Sequence, residues 1–241
     1  MFDKGRHHHA KIGFVLLATE QTIEDDMMRH CPEGVGMHFT RAYIEDSITV
    51  DSLTRHADDL ARAASTLLPD GSLDVVCYGC TSGSLVIGED RVFFELNRGA
   101  PNAKATSLIT SVISALKTVG AKRIAVATPY LDEVNAREVE YLEEAGFEVA
   151  KISGLQLEKD SDMIRVSPEF IADFAARSDT SDSDALFISC GALRSMDVVE
   201  QLEQKLGKPV ICSNQAMLWH VLREAGIADR IDGIGNLLRE Y

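Results

Sequence analysis

Apolar positions along the chain come in short unbroken runs: Ile12–Ala18, Leu73–Tyr78, Ile124–Thr128 and Ala185–Ser189. Each is five to seven residues long, rich in Val, Ile, Leu and Ala, with no polar residue at alternate positions. Strands buried on both faces of a parallel sheet read this way. The segments between the runs have helical spacing instead. Leu53, Ala57, Leu60, Ala64 and Leu67 recur at steps of three and four, as do Leu108, Val112, Ala115, Leu116 and Val119. Val134, Val139 and Leu142 mark a further helical segment, and a last helix is predicted from about Asn214 to Ala225. Gly120, Gly146 and Gly226 stand just past three of these segments, with Lys117 in a final turn, as ordinary stop signals. Alternating strands and helices predict an α/β fold built on parallel sheet.

The pattern occurs twice. Asp74-Val-Val-Cys-Tyr-Gly-Cys80 and Asp184-Ala-Leu-Phe-Ile-Ser-Cys190 superpose at an offset of 110, each an Asp, a buried strand and a Cys. Ser107…Leu116-Lys117…Gly120 matches Ser213…Leu222-Arg223…Gly226 at an offset of 106, and Lys11-Ile12 and Arg123-Ile124 open strands at a similar separation. Strand-turn-helix units also match by chance in any α/β protein; the paired cysteines at equivalent strand ends favour a true internal repeat. The expected organisation is two similar halves. Residues 11–118 with roughly 213–241 form the first and residues 119–212 the second, and the site lies between them.

A chain of 241 residues buries enough apolar surface to need no disulfide or metal staple. Its 24 basic and 38 acidic side chains leave a formal charge of −14, which argues against nucleic acid or an anionic membrane as partner. That balance says little about a small substrate. The run Ile12–Ala18 is too short to span a bilayer or to serve as a typical signal-peptide core, and acidic residues follow it at once, so a cytoplasmic protein is expected. His7, His8 and His9 read as a solvated N-terminal arm outside the chemistry. Five cysteines, Cys31, Cys77, Cys80, Cys190 and Cys212, do not form a disulfide framework and are expected to be reduced thiols.

Two of those thiols carry the chemical signal. Ligands of open α/β sheets sit at the carboxyl ends of strands, where Cys80 and Cys190 both fall. Thr81-Ser82-Gly83-Ser84 follows the first and Gly191-Ala192-Leu193-Arg194-Ser195 the second. Small residues let backbone N–H groups approach an anion, and the same field is expected to lower a thiol pKa. Two thiols facing one small carboxylate suit proton transfer at carbon without a cofactor. A cysteine in a strand is more often a small hydrophobe, the reading taken for Cys31 and Cys212. Cys77 and Cys80 also form a C-x-x-C, open to a redox or half-zinc reading, although Cys77 lies inside the predicted strand and no second ligand pair completes a tetrahedral site.

The segments Tyr78–Ser84, Ala127–Asn135 and Ser189–Ser195, with Leu206–Val210 and Asn214–Trp219, resemble the aspartate/glutamate racemase superfamily. More narrowly they resemble its maleate cis-trans isomerase and arylmalonate decarboxylase branch. The resemblance runs from Lys11 to Ile227. It implies two pseudo-twofold-related α/β domains, a site at their interface, no metal and no organic cofactor. It also implies a small carboxylate or amino-acid substrate and, by analogy, a homo-oligomer, dimer or tetramer. Carried over by motif, Cys80 matches the first catalytic position, which is Cys in racemases and isomerases and Gly in the decarboxylase, and Cys190 matches the second. Thr81, Ser82 and Tyr130 match carboxylate-binding groups, Gly191 and Ala192 offer backbone donors, and Asn135 and Asn214 line or brace the site. Cysteine at both positions favours racemisation, epimerisation or double-bond isomerisation over decarboxylation.

One loop departs from the pattern. Where maleate isomerases have an Asn that grips a substrate carboxylate, alignment of Ala18–Asp25 places Glu20. A carboxylate there would repel a second substrate carboxylate and attract an ammonium or amidinium group; alternatively Glu20 caps a helix or faces solvent, or Gln21 takes the position. This loop and the Gly-Cys-Thr-Ser-Gly stretch look like the ectoine-utilisation protein A subgroup, linked to ectoine breakdown. The leading expectation is a cofactor-independent racemase or isomerase using Cys80 and Cys190 as an acid/base pair. Its alternatives are a maleate-type isomerase acting through a covalent Cys80 adduct, and a binding module without turnover.

Overall fold

A computed structural model describes all residues 1–241. Eight strands form two sheets. In the first, β1 (Ala10–Leu17), β2 (Val35–Ala42), β3 (Val75–Tyr78) and β4 (Lys104–Ser107) lie in the order β2-β1-β3-β4. In the second, β5 (Arg123–Thr128), β6 (Glu148–Gly154), β7 (Ala185–Ile188) and β8 (Val210–Cys212) lie in the order β6-β5-β7-β8. Every pairing is parallel. The two orders are the same once the chain is advanced by one half, so the expected pair of parallel-sheet α/β domains is present.

The four apolar runs are the inner strands β1, β3, β5 and β7. Helices cover both faces of a parallel sheet, so its inner strands carry no solvent-facing alternation. The strands missed by the hydrophobic pattern are the outer ones. β2 and β6 are partly exposed, and β4 and β8 are three or four residues long. An outer strand keeps one edge near solvent and tolerates charge there, so no continuous apolar run marks it. The predicted helix through Leu53–Leu67 is broken: Val50–His56, a single tight turn at Ala57–Asp59, and Leu60–Ala64.

The repeat is visible in detail. Asp74 accepts the Lys11 backbone N–H at 2.8 Å, and Asp184 accepts those of Lys122 and Arg123 at 3.0 and 2.9 Å. Each aspartate thus pins the start of a centre strand to its neighbour and fixes register before the cysteine is reached. At the far ends, Gly79 N–H donates to Val15 and Ser189 N–H to Ala127, both at 2.9 Å. Gly120, Gly146 and Gly226 have φ of 76°, 97° and 78°, the left-handed conformation of helix ends.

Sixty-eight buried apolar residues form one continuous cluster, so the two sheets share a core instead of standing as separate beads. The Ser213–Glu224 helix packs on the Leu108–Thr118 helix and follows β8, carrying the chain from the second sheet back to the first. Phe14 and Phe187 lie fully buried in the inner strands of the two sheets. Phe187→Ala is expected to lower unfolding free energy by about 3–5 kcal/mol, the usual cost of removing a buried ring. Phe170→Ala, at a ring that remains 48% exposed, is expected to cost far less. Chemical denaturation of both variants checks the contrast.

Candidate active site

The carboxyl ends of β1, β3, β5 and β7 converge on one narrow pocket. Cys80 stands two residues past β3 and Cys190 two past β7. Tyr130 stands two past β5 and Glu20 three past β1. All four line the pocket with Thr81, Ser82, Gly191 and Ala192. Eight of the ten residues expected at the site are therefore on its wall.

Asn135 and Asn214 are not among the lining residues; of the two roles expected of them, lining or bracing, their contacts are those of bracing groups. Each is spent on backbone and neighbouring side chains. Asn135 Oδ1 accepts the Thr128 hydroxyl at 2.6 Å and its Nδ2 donates to the Tyr130 carbonyl at 3.4 Å. Asn214 Nδ2 donates to Asp26 Oδ2 and to the Gly191 carbonyl, both at 2.8 Å. They hold Tyr130 and the Cys190 loop in place from behind.

The two cysteines sit in different backbones. Cys80 is extended, with φ −145°, and caps the Thr81–Ile87 helix; its Sγ accepts the Gly83 N–H at 3.2 Å and lies 3.6 Å from the Ser82 hydroxyl. A side chain at Gly83 would collide with the Tyr78 hydroxyl and approach Cys80 Sγ to 3.0 Å, so glycine is required beside the thiol. Cys190 has φ +96°, a conformation that costs a non-glycine residue of order 1–3 kcal/mol and persists only where the surroundings impose it. Three hydrogen bonds impose it here. Ser213 Oγ accepts the Cys190 N–H at 3.0 Å, Asn214 holds the Gly191 carbonyl, and the Thr22 hydroxyl donates to the Ala192 carbonyl at 2.9 Å. Ser213 Oγ also lies 3.1 Å from Thr81 Oγ1, so one hydroxyl joins both cysteine loops.

The expected lowering of the thiol pKa values is reversed in this closed pocket. Burial pushes the Cys80 thiol up to about 11; Ser82 and the Gly83 N–H pull it down, and nearby Asp160 opposes them. Burial raises Cys190 well above the ordinary thiol value, with Asp160 and Glu20 adding to the rise against Tyr130 and the Ala192 N–H. Desolvation outweighs the donors because both thiols are almost wholly buried and lie near carboxyl groups. Cys77 and Cys212 are fully buried with thiols raised by burial, and Cys31 is partly buried with its Sγ–H toward the Val35 carbonyl at 3.2 Å; all three are packing thiols.

Glu20 both lines the pocket and caps a helix. Its Oε1 accepts the N–H of Thr22 and, at 2.8 Å, of Ile23, at the start of the Ile23–Arg29 helix. Burial raises its carboxyl to about 7. Sequence reasoning missed Leu17, Ile48, Gly79, Asp160 and Met163 on the wall. Ile48 lies in the loop after β2, and Asp160 opens the short Asp160–Met163 helix at the end of the segment that follows β6; both strands are outer ones that the apolar pattern does not reveal. These two segments, equivalent in the repeat, zip together over the pocket. Ser47 and Lys159 form an antiparallel bridge, Ile48 N–H donates to Glu158 at 2.9 Å, and the Ser161 hydroxyl donates to Asp46 at 2.6 Å. Ser213 was also missed as a site residue, although its match to Ser107 in the repeat had singled it out. No group of three or more His, Cys, Asp or Glu is arranged to hold a metal ion, and no helix is long and apolar enough to cross a membrane.

The arylmalonate decarboxylase family model matches residues 38–238. The chain belongs to this family. Its relatives divide between two reactions. The maleate isomerase of Nocardia farcinica is 28% identical over 243 residues, covering 95% of this chain and 96% of that one. The arylmalonate decarboxylase of Bordetella bronchiseptica is 33% identical over 131 residues, about half of each chain. Among solved structures, a cysteine-to-serine variant of Nocardia farcinica maleate cis-trans isomerase, carrying a covalently bound succinylcysteine intermediate, superposes with a TM-score of 0.88 at 25% identity over 96% of this chain and 99% of that one. A liganded arylmalonate decarboxylase variant, with one glycine changed to cysteine and one cysteine to serine, superposes with a TM-score of 0.87 at 26% identity over 96% of this chain and all of that one. Family membership fixes the scaffold of this arylmalonate decarboxylase relative and leaves its reaction to the side chains.

Beneath the Cys190 loop, the Ser189 hydroxyl donates at 2.5 Å to Glu138, which is wholly buried and held near 7 by desolvation. A carboxyl that binds its proton more tightly folded than unfolded stabilises the fold at low pH, and that contribution disappears as pH rises from about 4.5 to about 7. Glu20 acts in the same direction, and Asp26, raised to about 6, over a lower window. Glu138→Gln removes one such titration. It is expected to narrow the difference in melting temperature between about pH 5 and about pH 8. An unchanged difference in thermal melts would show that Glu138 does not titrate in that range.

Proposed function

We propose that this protein is a cofactor-independent isomerase of a small unsaturated carboxylate, acting through a covalent adduct on Cys80. The observation that carries this reading is the meeting of two thiols, one from each half of the chain, on the wall of one closed pocket with Thr81, Ser82 and Tyr130. The succinylcysteine seen in the superposing Nocardia isomerase supports it.

The thiols divide the work by environment. Cys80 accepts an N–H bond at its sulfur and is the better-stabilised thiolate; Cys190, beside more negative surroundings, is the better proton carrier. Cys80 enters as thiolate, its proton released before the substrate seals the pocket. The sulfur adds to one alkene carbon, and the π electron pair moves onto the neighbouring carbon and into its carboxylate. Thr81, Ser82, Tyr130 and the backbone N–H groups after Cys190 hold that enediolate-like charge, the kind of preorganised stabilisation that dominates such reactions. Cys190 gives its proton to the carbanionic carbon. The resulting saturated thioether rotates about its carbon–carbon bond. Cys190 then takes back a proton from that carbon, the double bond re-forms and Cys80 leaves as thiolate. Nothing is oxidised or reduced overall.

The same pair of thiols supports a second reading, racemisation or epimerisation by removing and returning an α-proton from opposite sides. Glu20 in the pocket wall, with the sequence likeness to the ectoine-utilisation protein A subgroup, favours substrates bearing nitrogen, and a role in ectoine catabolism is part of this proposal.

Intact-protein mass spectrometry with cis-unsaturated acids separates the two. The covalent reading expects a substrate-sized adduct that accumulates in Cys190→Ser and is absent from Cys80→Ser, with turnover lowered by roughly a hundredfold or more in each variant. Solvent deuterium entering the α-carbon of saturated amino acids, with no adduct in any variant, would establish the racemase reading instead. Full turnover in both cysteine variants would sink both.

A further inference from the structure

Two pocket-wall side chains are given no contact with substrate in the isomerase chemistry. Glu20 and Asp160 are 4% and 3% exposed, and they come from the turn after β1 and the segment after β6. Each has one oxygen engaged by the protein and one that makes no hydrogen bond. Glu20 uses Oε1 to cap the Ile23–Arg29 helix, and Asp160 Oδ2 accepts the Thr19 hydroxyl at 2.6 Å. No Lys, Arg or His lines this pocket. Arg41 bonds to Glu24 and to the carbonyl of Glu20 and is not part of the pocket wall. Burial opposes the ionisation of both acids; Asp160 adds to the rise at Glu20, and Asp46 to the rise at Asp160.

A protein rarely buries two carboxylates side by side without a cation or a full set of donors. The remaining wall separates by chemistry. Thr81, Ser82, Tyr130 and the backbone after Cys190 supply hydrogen-bond donors, and Glu20 and Asp160 supply only acceptors when ionised. A ligand with a carboxylate at each end would set one of them against this pair.

We infer that Glu20 and Asp160 form a cation subsite, so that the substrate carries both a carboxylate, taken by the donors Thr81, Ser82 and Tyr130, and an ammonium or amidinium group, taken by the two acids. This rests on the isomerase reading for the placement of the carboxylate. The unpartnered oxygens of the two acids accept the N–H donors of that cation, and the pairing orients the reacting carbons between Cys80 and Cys190. A diacid is disfavoured by like-charge repulsion.

Calorimetric titration of the full chain at about pH 8 with two saturated, unreactive probes tests this. 4-Aminobutanoate and succinate have the same carboxylate at one end and opposite charges at the other. 4-Aminobutanoate is expected to bind roughly tenfold tighter or better, and Glu20→Gln with Asp160→Asn together to abolish or reverse that ratio. Glutamine at position 20 retains an oxygen for the helix cap, and a ratio measured within one variant is insensitive to the fraction folded. Tighter binding of succinate by the parent chain, an unchanged ratio in the double variant, or binding of neither probe would overturn the inference. Neither probe can form the Cys80 adduct. An ammonium preference without any adduct from unsaturated acids would therefore fault the isomerase reading alone, and an adduct with a diacid preference would fault the cation subsite alone.

Discussion

The hydroxyl of Ser213 holds the site together. It accepts the N–H of Cys190 and meets Thr81 Oγ1, the first residue after Cys80. A buried hydroxyl has one hydrogen and two lone pairs, and both neighbours are polar groups that burial would otherwise leave unsatisfied. The chain meets that demand by returning, after β8, to the first half with Ser213 at the head of the returning helix. Asn214 follows at once and fixes the Gly191 carbonyl. Two consecutive residues therefore set the spacing of the two cysteine loops, though neither lines the cavity.

Symmetry of fold and asymmetry of chemistry meet in those loops. Equivalent strands deliver Cys80 and Cys190 to equivalent heights, and equivalent aspartates set the register of each. Beyond the strands the halves diverge. One cysteine begins a helix and receives an N–H at sulfur; the other is bent into the left-handed region and turns away from regular structure. A duplicated scaffold brings two thiols to one pocket, and in the proposed reaction their different backbones make one the nucleophile and the other the proton carrier.

The sequence makes the inner strands, both cysteines and most of the wall legible, because a strand buried on both faces has no freedom to hide its pattern and a residue just past its end falls at the ligand. The outer strands were not legible: β2 and β6 mix charged and apolar residues, so Asp160 and Ile48, in the segments after them, had no anchor in the pattern. Whether Asn135 and Asn214 line or brace the site is not legible, since motif position does not say which way an amide turns; both amides turn to the backbone behind the wall. The direction of the thiol shifts was also misread. Proximity to N–H donors was weighed, while the desolvation that a zipped pair of loops imposes depends on contacts between residues 46–48 and 158–161, more than a hundred positions apart.

That zipped cover has a consequence for the life of the protein in air. Peroxides and disulfides react with thiolates, and attack needs both charge and access. In the closed pocket Cys80 is protonated at neutral pH and 6% exposed, and Cys190 is 5% exposed. Burial therefore slows oxidants at both sulfurs. The contacts between Asp46–Ile48 and Glu158–Ser161, which include the wall residues Ile48 and Asp160, help keep the pair buried and so bear on how long the two thiols stay reduced.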